Sequence, residues 1–106
     1  MAYSTLEEVK ALLRITDASH DTEITALIDD ADAKIDNKLQ NYEATLPLTP
    51  VPGAINKSSK YLAAAFYLKL SPLSEIMKAQ ADVFDKIGLE FLSEYIIENY
   101  HAGTIQ

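Results

Sequence analysis

The sequence contains no cysteine among its 106 residues. This absence excludes a disulfide scaffold, cysteine-ligated zinc and thiol catalysis. Tryptophan is absent as well, and there are only three glycines and four prolines. Three of the four prolines lie between Pro47 and Pro52, so long stretches on either side contain few residues that break a helix.

Basic residues are also few. Nine lysines and arginines stand against sixteen aspartates and glutamates, which gives a net charge of -7. Phosphate backbones repel such a chain, and its cations are scattered rather than gathered in a patch. We therefore expect no sequence-specific binding to nucleic acid. No apolar run approaches the ~20 residues that span a bilayer, and the first residues lack a signal-peptide pattern, so we expect no membrane association.

Two alternative capping boxes precede the first segment with a helical period. Either Ser4 with Glu7 or Thr5 with Glu8 has the spacing that satisfies the first backbone donors of a helix. The apolar residues that follow are spaced by three and four, and the pattern ends near Arg14. The predicted apolar face of this first helix consists of Leu6, Val9, Leu12 and Leu13.

The second helix has the clearest amphipathic pattern in the chain, and Asp21 has the side chain of a good N-cap. Its pattern stops at Gln40, and the prolines that follow predict an extended loop as far as Pro52. The predicted apolar face consists of Ile24, Leu27, Ile28, Ala31, Ile35 and Leu39.

The third helix opens at Pro52 and is apolar over so much of its circumference that it is predicted to be central. A fourth helical segment starts near Leu73, and Gly88 either ends that helix or only weakens it. We therefore expect one all-α domain over residues 1–106. It is predicted to be a small orthogonal or bundle-like domain of four to five helices, with a long proline-rich loop between helices 2 and 3. The predicted core consists of Leu27, Ile28, Ala31, Ile35, Leu62, Ala65 and Phe66.

Three aspartates, Asp29, Asp32 and Asp36, fall on one flank of the second helix. On a rigid helix they spread over about 10 Å, so they cannot surround one metal ion without other ligands. We interpret the flank as a solvated acidic face or as a repulsive lining towards DNA or a partner. No serine has a general base nearby in sequence, and neither histidine has a metal-ligand spacing, so we expect no enzyme activity, no metal and no cofactor.

Two segments carry apolar residues that suit contacts with a neighbour. The proline-rich loop is too rich in proline to join a sheet or a helix. The C-terminal stretch carries more large apolar groups than one face of a short terminal helix buries. Ordinary packing of the tyrosines in the core is the competing interpretation. The candidate interface residues are Leu46, Leu48, Val51, Leu92, Tyr95, Ile96 and Tyr100.

Three stretches carry a resemblance to a known family. They are TLEEVKALLRI at 5–15 with the acidic loop after it, EITALIDDADAKID at 23–36, and PGAI at 52–55 leading into YLAAAFY at 61–67. In this order they resemble the small head-tail connector proteins of tailed phages and prophages, also called adaptor or head-completion proteins. The C-terminal segment matches the family only in being helical.

The resemblance implies a structural virion protein without catalysis. It implies a ring of subunits under the portal at the capsid vertex, assembled in the host cytoplasm, with packaged DNA in its channel and the flank Asp29, Asp32 and Asp36 towards that channel. The implied partners are further copies of the chain, the portal protein and tail-completion proteins. A different hypothesis also fits the composition: a monomeric or dimeric acidic helical binding module, such as an inhibitor that mimics the charge of DNA.

Overall fold

The computed structural model has four α-helices among the residues that it describes. It describes residues 2–42, 46, 48, 50–70 and 75–105, with side chains as far as residue 99. No strand occurs within these ranges, and the prediction of an all-α fold is confirmed. The four helices are α1 (Leu6–Leu13), α2 (Asp21–Gln40), α3 (Gly53–Leu70) and α4 (Glu75–Ile105).

Helix α1 is delimited by a cap at each end. Of the two capping boxes, the structure uses Thr5 with Glu8, in which the Thr5 hydroxyl accepts from the Glu8 amide and the Glu8 carboxylate accepts from the Thr5 amide. Arg14 ends the helix with a left-handed backbone at φ 60°. The amide of Ile15 then donates to the carbonyl of Lys10, which satisfies an acceptor in the last turn.

Helix α2 begins one residue earlier than a cap at Asp21 requires. The N-cap is His20, which makes no side-chain capping bond, and Asp21 is the first helical residue. The reason is an ion pair: the Asp21 carboxylate lies 2.8 Å from the Lys10 ammonium of α1. The prediction of Asp21 as N-cap was therefore wrong, and the side chain instead ties two helices together.

Helix α3 is the central element, because it packs against each of the other three helices. Helices α1 and α2 pack on α3 and on each other, and the principal contact of α4 is with α3. The small side chains of Ala63, Ala64 and Ala65 are fully buried, which permits this close approach from more than one side.

The predicted core is buried except at one position. Leu27, Ile28, Ala31, Ile35, Leu62 and Ala65 are buried. Phe66 is only half-buried, so its assignment to the core was wrong. Its ring lies at the margin of the core, where the Lys34 ammonium covers it at 5.7 Å from the ring centroid.

Helix α4 runs without interruption through Gly88. Its 31 residues span about 46 Å at 1.5 Å per residue, which equals the 46 Å long dimension of the molecule. Gly88 is buried against α3, where its carbonyl accepts a 2.8 Å hydrogen bond from the buried Ser58 hydroxyl. The glycine therefore serves close helix packing and does not end the helix.

The predicted loop between α2 and α3 is described only in part, because residues 43–45, 47 and 49 lie outside the described ranges. Helix α3 follows Pro52, whose carbonyl accepts from the amide of Asn56 at 3.0 Å. Proline thus opens the helix, as its sequence predicts.

Candidate functional site

A buried polar network joins the N-terminal residues to α2 and α3. The amide of Tyr3 donates to one carboxylate oxygen of Asp32 at 2.9 Å, and the Ser59 hydroxyl donates to the other at 2.6 Å. The Tyr3 hydroxyl donates to Asp36 at 2.5 Å. The Ser4 and Ser59 hydroxyls are 2.6 Å apart. We call this set of five residues, Tyr3, Ser4, Asp32, Asp36 and Ser59, the N-terminal clip.

The direction of the hydroxyl chain in the clip follows from counting protons. A serine hydroxyl carries one proton, and Ser59 donates that proton to Asp32. Ser4 must therefore be the donor to Ser59. Asp32 accepts on both oxygens, so its ionised form is well satisfied, although no cation pairs with it among the described residues.

The Tyr3 hydroxyl also connects the clip to the proline-rich segment. It accepts a 3.1 Å hydrogen bond from the amide of Leu48, and the backbone carbonyl of Tyr3 accepts from the Asn56 side chain at 3.0 Å. Burial and the neighbouring Asp36 carboxylate raise the pKa of Tyr3 to about 12. The hydroxyl therefore keeps its proton, and its role is to hold Leu48 against α2.

We predict that Tyr3→Phe lowers the free energy of unfolding by about 1–3 kcal/mol, because the buried Leu48 amide loses its acceptor. Hydrogen exchange of the Leu48 amide reports the loss of this hydrogen bond directly and should become faster in the variant. Tyr67→Phe is the matched control, since the Tyr67 hydroxyl makes no hydrogen bond to any residue that the structure describes and its ring lies edge-on to His20. Unchanged protection of Leu48 in Tyr3→Phe would contradict the prediction.

The clip changes the interpretation of the acidic flank on α2. Asp29 is exposed, Asp36 is half-buried beneath Tyr3, and Asp32 is only 8% exposed. Burial raises the pKa of Asp32 above its ordinary value, although the Ser59 hydroxyl and the Tyr3 amide both donate to it. The three side chains therefore do not form one solvated flank. A regular helical spacing could not show this, because the covering residue Tyr3 comes from outside the helix.

The candidate interface residues lie mostly within the subunit's own core. Leu48 and Leu92 are buried, and the Tyr100 side chain lies outside the described residues. The other four, Leu46, Val51, Tyr95 and Ile96, are half-buried and pack against the core. These side chains support the fold of the single subunit, and a role in contacts between subunits stays a prediction.

The large apolar residues most exposed in the structure are not among the predicted interface residues. Leu70 and Ile97 are each 58% exposed, Ile76 is 80% exposed and Val83 is 51% exposed. Three of them lie on α4 at positions that do not face α3. A signal was present in the sequence, since Ile76, Val83 and Ile97 are separated by multiples of seven residues, which keeps them on one broad side of a helix.

Beside Ile97 the surface is hollow. A groove of about 440 Å³ lies between the end of α2 and the C-terminal half of α4. A second hollow of about 530 Å³ continues along α4 and shares Leu89, Ser93 and Ile97 with the first. We call the first the C-terminal groove; its walls include Asn41, Tyr42, Leu89, Leu92, Ile96 and Ile97.

Two further properties of the surface bear on function. Within the ranges that the structure describes, no group of three or more acidic or histidine side chains is arranged to hold a metal ion. Among the same residues, no helix combines the length and the apolar character that a membrane span requires.

Comparison with known proteins decides the family. Residues 3–100 match the family model described as phage gp6-like head-tail connector protein. The chain belongs to this connector family. The match covers the N-terminal clip, all of α1 to α3, and α4 as far as Tyr100. No curated protein and no solved structure shows significant similarity to the chain.

Membership gives the connector a structural role. The family is one of phage structural proteins rather than enzymes, and its members join components of the phage head and tail. The buried polar groups of the clip agree with such a role, because they are paired within the subunit. The exposed apolar residues and the hollows on α4 are the features that lack a partner surface within the described part of the subunit.

Proposed function

We propose that the connector assembles as a closed ring of identical subunits beneath the portal protein at the capsid vertex, and that this ring forms part of the DNA channel. The match of residues 3–100 to the head-tail connector family is the observation that carries the proposal. In this role the protein resides in the virion after assembly in the host cytoplasm. Its partners are further copies of itself, the portal protein and tail-completion proteins.

The charge of the chain supports a channel role. At a net charge of -7, the surface repels phosphate, so packaged DNA can pass without being held. Asp29 is the exposed member of the predicted acidic flank, and we assign it to the channel side. Asp32 and Asp36 contribute instead to holding the N-terminal residues on α2.

The same charge makes assembly conditional. Isolated subunits repel one another, so we expect the ring to close when salt screens the charge or when the portal holds subunits side by side. Unlike surfaces on neighbouring subunits form a closed ring when their relative rotation closes. The C-terminal candidates Leu92, Tyr95, Ile96 and Tyr100 belong to the side of the subunit that we assign to these contacts, together with the Leu46, Leu48 and Val51 segment.

Light scattering at low and high ionic strength, with and without the cognate portal, tests the proposal. We expect a monomer at low salt and a multimer of one defined mass with the portal. A strict monomer under every condition, the portal included, would reject the ring. That outcome would favour the alternative of an acidic helical binding module, which a net charge of -7 also permits.

A further inference from the structure

Helix α4 presents an apolar face on the side turned away from α3. Its members are three or four residues apart and lie within about 80° of the helix circumference, centred roughly 140° around α4 from the face that packs on α3. The structure exposes Ile76, Ala79 and Val83 and leaves Ile87 half-buried. We call Ile76, Ala79, Val83 and Ile87 the outer stripe. Water covers most of these side chains in the isolated subunit, at a cost in free energy that a second apolar surface would remove.

The outer stripe has the shape of one half of an antiparallel helix pair. Ala79 is small and lies between the larger Ile76 and Val83, so a second helix can approach α4 closely there. An identical stripe that runs in the opposite direction can place its Ile76 between Val83 and Ile87 of the first copy. The stripe is therefore complementary in shape to a reversed copy of itself.

The charges beside the stripe select the reversed direction. Glu75 and Lys86 are 11 residues apart, so they lie on the same flank, about 20° from each other around the helix. In an antiparallel pair the same flanks meet, and Glu75 of each copy falls opposite Lys86 of the other. A parallel pair in register would instead bring like charges together, which is unfavourable.

Both charges are available for such a contact. The Glu75 side chain is 92% exposed, and its pair with Lys78 is long, at 3.7 Å. Exposed pairs of this length contribute little. Lys86 is exposed and forms no ion pair with another residue that the structure describes.

The register that pairs Glu75 with Lys86 also accommodates the acidic residues farther along α4. Glu90 lies about 6 Å beyond the first residue of the second copy's α4, where the helix dipole is positive. Glu94 lies farther out, past the overlap of the two helices. Asp82 falls opposite position 79 of the second copy, next in sequence to Lys78. No carboxylate is thus placed opposite another in this register.

We propose that a second copy of the connector docks antiparallel on the outer stripe, with a two-fold axis that passes near positions 80 and 81. Such a contact joins the same patch on both copies and closes with two chains. It is therefore separate from the contacts that build the ring and goes beyond the function proposed above. The candidate ring residues Leu92, Tyr95 and Ile96 lie more than about 100° away around α4 and stay free. Four apolar residues from each copy make a small interface, so the pair should form at high protein concentration.

Charge exchange tests the direction of pairing, without the portal. At about 0.15 M salt, which screens the net charge of -7, sedimentation equilibrium of the wild type should show dimers that increase with concentration. Glu75→Lys and Lys86→Glu each place like charges together twice in a pair, so each should raise the dissociation constant roughly tenfold. The double variant Glu75→Lys/Lys86→Glu restores opposite charges and the wild-type net charge. It should return to the wild-type dissociation constant.

Cysteine cross-linking tests the register, because the chain has no cysteine of its own. The two copies of residue 79 lie about 4.5 Å apart along the helix axes in the proposed pair, so Ala79→Cys should form a covalent dimer on oxidation. Ile97→Cys is the matched control, since Ile97 is exposed on the same broad side of α4. The proposed register places its two copies about 50 Å apart, so Ile97→Cys should not cross-link. Both positions are exposed, and neither change disturbs the core.

Three results would overturn the proposal. One is a wild-type monomer at every concentration, and another is cross-linking of Ile97→Cys as efficient as that of Ala79→Cys. The third is a dimer whose dissociation constant the double charge variant does not restore. A monomer whose Val83→Glu variant no longer joins the portal would assign the outer stripe to a portal helix instead. The ring is tested separately by the multimer formed with the portal, so a dimer without that multimer would reject the ring alone.

Discussion

Replacement of Asp32 with alanine is expected to lower the free energy of unfolding by about 2–6 kcal/mol. The change removes the acceptor of two buried donors, the Tyr3 amide and the Ser59 hydroxyl. Each buried donor left without a partner costs roughly 1–3 kcal/mol. The same change removes the bond between the Tyr3 backbone and α2 and leaves the bond from the Tyr3 hydroxyl to Asp36, so the N-terminal residues should lose protection first.

Asp32→Asn is expected to retain most of the stability, because the hydroxyl chain can reverse. The asparagine oxygen can accept from the Tyr3 amide, while its NH₂ group donates to the Ser59 oxygen. Ser59 then donates to Ser4, across the same 2.6 Å that Ser4 spans in the opposite sense in the native protein. The pair of variants therefore separates the loss of hydrogen bonds from the loss of charge.

The stability of Asp32→Asn relative to the wild type is expected to change with pH in a defined direction. Burial raises the folded pKa of Asp32 above its ordinary value of 3.8, and the nearby Asp29 and Asp36 carboxylates act in the same direction. The folded protein thus binds this proton more tightly than the unfolded chain does. The resulting stabilisation is fully present below the unfolded pKa and is lost as pH rises through the folded pKa. Asparagine does not titrate, so Asp32→Asn should gain stability relative to wild type as pH rises.

Denaturant unfolding of the wild type, Asp32→Ala and Asp32→Asn at acidic and neutral pH measures both effects. Asp29→Ala is the matched control, since Asp29 lies one turn away and is exposed. It should change stability by less than about 0.5 kcal/mol. Equal loss in Asp32→Ala and Asp29→Ala would show that the clip contributes nothing. A falling stability of Asp32→Asn relative to wild type with rising pH would contradict the assigned shift.

Asp32 also shows where inference from the sequence stops. The spacing of Asp29, Asp32 and Asp36 correctly places them on one helix flank, and apolar periodicity correctly identifies the buried face of α2. Periodicity does not show what covers a polar position, however. The partners Tyr3 and Ser59 are 29 and 27 residues away from Asp32 along the chain. Such contacts depend on how the helices pack, so the carboxylate was placed in solvent.

The same limit applies to Gly88. Glycine ends many helices and weakens others, so the sequence allowed either reading. What decides between them is the approach of α3, where Ser58 donates to the Gly88 carbonyl and Leu62 lies directly against the glycine. Conversely, the Thr5 and Glu8 capping box is a local feature, and the sequence pattern contains it in full.

The packing of Gly88 against Leu62 gives the second large effect that we expect. A Cβ atom added to Gly88 would lie 2.8 Å from the Leu62 Cγ, 3.0 Å from its Cδ2 and 3.2 Å from its backbone nitrogen. Gly88→Ala should therefore cost roughly 1–3 kcal/mol in overpacking, offset by about 1 kcal/mol of better helix propensity. Leu62 is fully buried, and Leu62→Ala should cost roughly 2–5 kcal/mol because it leaves a cavity.

The double variant Leu62→Ala/Gly88→Ala is expected to be more stable than the sum of the two single changes predicts. Alanine at 62 removes the Cγ and Cδ2 atoms that the new methyl group would strike, and the methyl group fills part of the cavity. Coupling between residues in direct contact is typically 0.5–3 kcal/mol. Denaturant unfolding of the four proteins in the cycle measures this coupling.

Gly53→Ala is the control, since a Cβ atom there meets nothing within 4 Å. Combined with Leu62→Ala, it should be additive within about 0.5 kcal/mol. If the Gly88 cycle proved equally additive, the close contact between Gly88 and Leu62 would not be the reason that a larger side chain is unfavourable at position 88.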